Sequence, residues 1–420
     1  MAIKRAMSYS LVSTQNRVES PFIIVQIGNY TFGHCERKET KENLKTVLRV
    51  DFPNYMEGMS VVKTNGAINT YTINMVYAIT ENDDPNKLEK IFSTVSKGRT
   101  LTLKYGDWNQ PDYIYKDEEA LITKVASNID FNASKIKYTI TCTSTAIALK
   151  SVVTNFPTIT AQPSEEIVKL LKNQDYGLLS IFKGMSNATA NSFSNFIARD
   201  DRTVEIQGKT GISPLDYLGY LVRCMVSNDD SSSGLKKSNY YWSIYDDINN
   251  QYGGTYFKVQ KVTANTQYNI SYDTYEVNVG YPSGEYITSF TLNNDSSWSI
   301  LYDYATEVNN TAYQYTINNK GELETILAPK ISSKTLEDDA VNRTWWTQMT
   351  QFPVQAKLVI KGLLRPAMLM SYVKVNSYFY GHKHISSGLY IITRQEDRID
   401  GTGYKTTLSL TRVSGDTKMV

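Results

Sequence analysis

Between residues 21 and 150 the hydrophobic and polar positions alternate with a period of two. In TYTINMVYAIT (70–80), Tyr71, Ile73, Met75 and Tyr77 alternate with Thr72, Asn74, Val76 and Ala78, so one face of an extended chain is the more apolar. Similar runs are FIIVQIG (22–28), KTVLRVDF (45–52), TLTLKYG (100–106), EALITKVAS (119–127) and SKIKYTITCTS (134–144), each bounded by Gly, Asn, Asp or Pro. This predicts about six or seven strands. One helix is predicted over 85–96, where Leu88, Ile91, Phe92 and Val95 fall on one stripe after the turn residues Asp83 and Asp84. The segment reads as a β-barrel or sandwich carrying a single helix.

After Pro157 the period changes. PSEEIVKLLKN (163–173) predicts a short amphipathic helix with Ser164 as N-cap, Glu165 and Glu166 in its first turn, and Ile167, Val168, Leu170 and Leu171 to bury. A stronger helix starts at Ser213, with Pro214 at the favoured first position, Asp216 near the positive end of the dipole, and Leu215, Leu218, Leu221, Val222 and Met225 facing a core. Helical pieces over 176–185 and 188–198 and a strand at TVEIQG (203–208) fill the space between, and SNDDSSSG (227–234) reads as a linker. Short strands rich in Tyr, Asn and Thr then occupy 239–327, and a polar stretch (332–344) leads to a final β segment. The chain is therefore expected to be mainly β. Its expected units are an N-terminal barrel (1–160), a helical segment (161–235), a small β domain (236–335) and a C-terminal barrel (336–420).

At 420 residues the chain is long enough for about three domains with buried cores. Lys and Arg total 44 against 42 Asp and Glu, a formal charge of +2, so no global field nominates nucleic acid or an anionic membrane as partner. The composition departs from the ordinary in its 31 tyrosines, a residue that suits strands and contact surfaces. Cys35, Cys142 and Cys224 are too far apart for a metal motif and odd in number, which argues for ordinary thiols. The N-terminal basic residues are followed by no apolar signal region, and the run from Phe22 to Ile27 is far short of a span, so the chain is expected to start in a cytoplasm and not to cross a membrane on its own.

Candidate chemistry is sparse. GKTG (208–211) evokes a phosphate loop, but that pattern needs a glycine five positions before Gly208, where Thr203 stands. His382 and His384 share a strand face and a possible metal, yet no third ligand lies near them in sequence, and they read as polar turn residues. His34 and Cys35 are adjacent and would point to opposite faces of a strand, which disfavours a nucleophile and base. The pairs Asp83-Asp84, Asp229-Asp230, Asp246-Asp247 and Asp338-Asp339 read as solvated loops rather than opposed glycosidase acids. Trp345-Trp346 and the tyrosines of 239–256 suit packing better than stacking on sugars or bases. No GxSxG or HExxH motif occurs. The expectation is a non-enzymatic chain with no catalytic, cofactor-binding or metal-binding residue and no cofactor.

The last sixty residues carry a more specific signal. A strand ends at Leu363 to Pro366 and restarts over Met368 to Val375; a glycine-led strand follows with Gly388, Tyr390 and Ile392. An Asp/Gly turn comes next, with Asp397, Asp400, Gly401 and Gly403, and the closing strand alternates Tyr404, Thr406, Leu408 and Leu410. This order resembles the closing barrel of the baseplate central hub proteins of contractile-tail phages and related injection systems. The resemblance extends to a Ser-Pro-x-Asp-x-Leu helix start, here Ser213, Pro214, Asp216 and Leu218. It implies two tail-tube-like barrels around the middle segments and a homotrimer whose ring joins a sixfold tail tube to a threefold central spike. Tube, spike and other baseplate proteins are the implied partners, with transient passage of DNA through the lumen and no stable membrane insertion. It further implies a place in the virion tail after assembly in a bacterial cytoplasm. The fused spike or lysozyme domain of some members has no counterpart here, so those activities would come from other chains. A carbohydrate- or receptor-binding β protein of the tail is the alternative reading.

Overall fold

The computed structural model describes residues 21–33, 55–107, 116–130, 132–186, 190–225, 227, 238–248, 252–263, 272–279, 287–294, 314–317, 323–327, 354–361, 369–384 and 386–415. The expected strand at 45–52, the linker beyond Ser227, and Cys35, His34, Asp229, Asp338, Trp345 and Leu363 to Pro366 lie outside these residues.

The predicted alternation forms strands. The N-terminal part contains β1 (Pro21–Ile27), β2 (Tyr30–Gly33), β3 (Met56–Thr64), β4 (Thr70–Ala78), β5 (Thr100–Asp107), β6 (Lys116–Asp130) and β7 (Lys135–Thr143), with helix α1 (Pro85–Thr94) between β4 and β5. In β4 the side chains of Tyr71, Ile73, Met75 and Tyr77 are buried, and in β7 those of Ile136, Tyr138, Ile140 and Cys142, as the period of two demands.

Four short strands follow, β8 (Thr154–Phe156), β9 (Ile159–Ala161), β10 (Val204–Ile206) and β11 (Lys209–Ile212), together with helices α2 (Pro163–Lys172) and α3 (Pro214–Cys224). Ser213 caps α3 by accepting from the Asp216 amide at 3.1 Å, as the sequence predicts. Helix α2 differs from expectation. Gln162 is its N-cap and Pro163 opens it, while Ser164 donates through both its amide and its hydroxyl to the Asp200 carboxylate, which satisfies the helix start from a distant segment.

The rest of the chain holds β12 (Ser238–Tyr245), β13 (Tyr256–Thr263), β14 (Tyr272–Val279), β15 (Ile287–Asn294), β16 (Gln314–Ile317), β17 (Leu323–Leu327), β18 (Val354–Lys361), β19 (Tyr372–Phe379), β20 (His382–Lys383), β21 (Gly388–Asp400) and β22 (Gly403–Gly415). The fold is mainly β. Its central feature is a 14-stranded sheet with the path β15-β18-β22-β21-β3-β4-β7-β6-β5-β1-β2, to which β19 adds through β21 and brings β14 and β20. Strand β1 returns against β3 and β21, so the sheet curls around its core. That core runs without a break from Ile23 and Tyr71 to Tyr390, Leu408 and Leu410.

A second core gathers the helical segment: Ile167 and Leu171 of α2, Leu218 and Leu221 of α3, and Phe182, Phe193 and Phe196 between them. Phe156 stacks on Tyr217 with ring centroids 3.7 Å apart. The strands that the sequence grouped at 236–335 are distributed. Hairpin β12–β13 enters the second core through Tyr240, Ile244, Tyr256, Phe257 and Val259. Strand β14 runs parallel to β19, β15 pairs with β18, and β16 pairs with β17. Apolar residues occur on both faces of the hairpin, and this is what lets it bridge two cores.

Candidate functional site

The junction of the N- and C-terminal strands is the most developed polar feature among the described residues. Strand β21 is 13 residues long, and β22 pairs along its whole length. On its other edge the first part, Gly388 to Ile391, pairs with Val375 to Tyr372 of β19, while Arg394 to Ile399 pair with Thr64 to Met59 of β3. One strand thus belongs to both ends of the chain, and backbone hydrogen bonds make the two ends continuous.

Gly58 marks how closely the strands approach. It sits at a bulge between β3 and β4, and a Cβ added there would lie 2.8 Å from the Ile399 carbonyl oxygen. Gly58→Val should push β21 from β3 and cost about 1–3 kcal/mol. Thermal unfolding measures this, and a melting temperature equal to wild type would mean that the strands separate without loss.

Beneath this junction lies a buried charge network. Glu118 of β6 and Asp397 of β21 are fully buried, Asp246 is 1% exposed and Asp117 4%. Lys63 of β3 forms an ion pair with Glu118, and Tyr105 of β5 donates to the same carboxylate at 3.1 Å. Lys104 pairs with Asp117 at 3.0 Å. Asp397 accepts from Thr406 at 2.7 Å, Tyr404 at 3.3 Å and Gln395 at 2.7 Å. Asp246, at the end of β12, accepts from Ser144 at 2.7 Å, Asn69 at 2.8 Å and Tyr71 at 3.0 Å.

The electrostatics follow from burial and neighbouring anions. Burial pulls the Lys63 ammonium down, but Glu118 beside it, with Asp397 and Asp247, holds it above the ordinary lysine value. Burial and the adjoining carboxylates drive Tyr71, Tyr105 and Tyr404 well above the usual phenol range. These phenols are fixed as neutral donors. A tyrosine held neutral and a lysine that keeps its charge make a positioning device.

The sequence-predicted candidates take different places. Asp246 is a buried acceptor and not a solvated loop residue, because residues 69–71 and 144 fold over it. Asp397 lies mid-strand and not in the turn, which is formed by Asp400 to Gly403. Lys209 of the GKTG sequence is in β11, its Nζ 4.4 Å above the Tyr220 ring. His382 is exposed in β20, whereas the half-buried His384 contacts the Ser386 hydroxyl at 2.8 Å through Nδ1 and accepts the Ser386 amide at 3.2 Å. Asp83 accepts from the Thr80 hydroxyl at 3.0 Å. The network residues Lys63, Glu118 and Tyr105 carried no sequence signal beyond their strand positions. For Asp397 a signal existed: it falls in phase with Gln395 and Ile399, both on the buried face of β21.

No protein-family model matches the sequence, and no curated protein matches it significantly. Solved structures do. A tail protein from Neisseria meningitidis MC58 is 9% identical with a TM-score of 0.50, the match covering 94% of this chain and 97% of that one. The 43 kDa tail protein of prophage MuSo2 from Shewanella oneidensis is 11% identical with a TM-score of 0.49, over 93% and 98% of the two chains. A component of the Escherichia coli type VI secretion system, described as structurally similar to bacteriophage T4 tail proteins, is 6% identical with a TM-score of 0.44, over 85% and 73%. The structural neighbours are thus phage and prophage tail proteins and components of a related secretion machine. Nearly the whole chain has the fold of the Neisseria tail protein.

Proposed function

We propose that this chain is a structural baseplate hub of a phage-type tail, with residues 1–160 and 336–420 as its two tube-like barrels. Three copies form a ring presenting six barrels to a sixfold tail tube on one face and a threefold socket to a central spike on the other. Tube, spike and neighbouring baseplate proteins are its partners, and the lumen passes DNA without retaining it, as a near-neutral chain permits. The protein works in the assembled virion and without catalysis of its own. The observation that carries this reading is the fold shared with a tail protein across 94% of the chain.

The continuous sheet supports it mechanically. A symmetry adaptor must keep its two barrels in fixed register while force crosses them, and hydrogen bonding between β21 and β3 gives a rigid joint where a flexible linker would not. Ring closure calls for heterologous contacts between neighbouring copies, and β2 and β15 end the strand path among the described residues. Cryo-electron microscopy of intact particles tests the assignment. Density for three copies on the axis at the tube tip is the expected result. Six or twelve copies, or density only on peripheral fibres, would sink it in favour of a receptor-binding protein.

A further inference from the structure

Hairpin β12–β13 bridges the two cores and is fastened to the barrel strands by a polar cluster around Asp246, with the Tyr245 hydroxyl donating to the Leu369 carbonyl at 2.7 Å besides. Tyr240, Ile244 and Phe257 belong to the second core, while Tyr241, Tyr245 and Val262 meet the first. Three backbone hydrogen bonds cross this joint: the Gly66 amide to Trp242 O at 2.8 Å, Glu119 to Asp246 O at 3.2 Å, and Ile248 to Asp117 O at 2.7 Å. At its centre the Asp246 carboxylate takes its hydrogen bonds from three neutral groups, Asn69, Tyr71 and Ser144.

The charged and titratable groups around it are accounted for element by element. Strand β6 brings Asp117 and Glu118, the first paired with Lys104 of β5 and the second with Lys63 of β3. Tyr71 of β4 donates to Asp246 and Tyr105 of β5 to Glu118. Asp247 follows on the chain, and Asp397 and Tyr404 of the C-terminal strands lie beyond Glu118. Among the described residues no cation is bonded to Asp246, and the nearby Glu118 opposes its ionisation.

We infer that Asp246 is a proton-sensitive latch between the helical unit and the barrel strands. With its carboxyl protonated the hairpin, and the helical segment behind it, sit firmly on the barrel; ionised, it loosens them. Opening the joint returns the carboxyl to water, where it ionises freely, so closure and proton uptake are linked. Burial, helped by Glu118, outweighs the hydrogen bonds from Ser144, Asn69 and Tyr71, which favour the ionised form, and pushes the group up to about 6 from an ordinary 3.8. A folded-state value raised in this way favours closure fully below about 3.8, and the advantage is lost as pH rises through about 6. From about pH 8 to about pH 5 the closed-to-open ratio should rise about tenfold. The joint's stiffness thereby changes without disturbing either hydrophobic core.

Amide hydrogen exchange on the full chain, corrected for the intrinsic effect of pH, tests the latch. The Gly66, Glu119 and Ile248 amides should gain about tenfold protection, relative to central sheet amides of β4 and β7, on going from about pH 8 to about pH 5. Asp246→Asn fixes the group neutral, so protection should be high at both pH values with no step. Equal responses of joint and sheet amides in the wild-type protein would overturn the proposal, as would a step that survives in the variant. Should the variant fail to fold, carbon-13 NMR titration of the wild-type Asp246 carboxyl decides. A midpoint near 6 supports the latch, and one at or below about 4 overturns it.

Discussion

Leu408→Asp should abolish the folded C-terminal strands and with them the joint to the N-terminal half. Leu408 is fully buried in β22, opposite Leu358 of β18 and Gln395 of β21, inside the core shared by both ends of the chain. The substitution removes an apolar side chain and places an unpaired carboxylate in that core, at a cost of more than about 4 kcal/mol. That is a large part of a domain's stability. The expected outcome is insoluble protein, or a cooperative melt shifted down by roughly 10 °C or more. Lys405→Ala, three positions earlier on the same strand and exposed, should stay within about 0.5 kcal/mol of wild type. Were Leu408→Asp to melt like Lys405→Ala, the facing of β22 would be wrong.

That facing is legible in the sequence because a period of two is a local property. Tyr404, Leu408 and Leu410 are buried, and the intervening Lys405, Thr407 and Ser409 are exposed or half-buried. The same holds for β4 and β7, and for the cap of α3, where Ser213 and Asp216 are three residues apart. Side chains of α1 other than that of Thr94 are exposed or lie outside the described residues, so its predicted stripe rests on Val95 alone, which is buried.

The illegible part is non-local. The pairing of Arg394 with Thr64 joins positions more than 300 residues apart in chain order, and no pattern within either strand states it. Asp246 has Asp247 and a run of Asn beside it, which is what a solvated turn looks like, and only the fold of Asn69, Tyr71 and Ser144 over it makes it an interior acceptor. Ser164 lost the capping role to Asp200 for the same reason, since a side chain 36 residues away reached the helix start. Local rules failed at the buried polar groups, where tertiary contacts decide whether a carboxylate is wet or dry.

The buried ion pair offers the second large effect. Lys63→Met should cost about 3–5 kcal/mol, because it leaves the fully buried Glu118 without its ammonium. The phenol of Tyr105 remains as a donor, but a neutral donor does not balance the charge. Glu118→Gln alone should cost a similar amount, since it strips Lys63 of the carboxylate that keeps it charged inside the protein. With both substitutions together no charge of the pair remains, so the double variant should recover most of the loss, and the double-mutant cycle should return a coupling of at least about 2 kcal/mol. High salt should change little, because the pair is shielded from mobile ions. Urea unfolding of the four proteins measures all of this. A Lys63→Met variant within about 1 kcal/mol of wild type, or additive single effects, would mean that water reaches Glu118 and that the network does not hold the two ends of the chain in register.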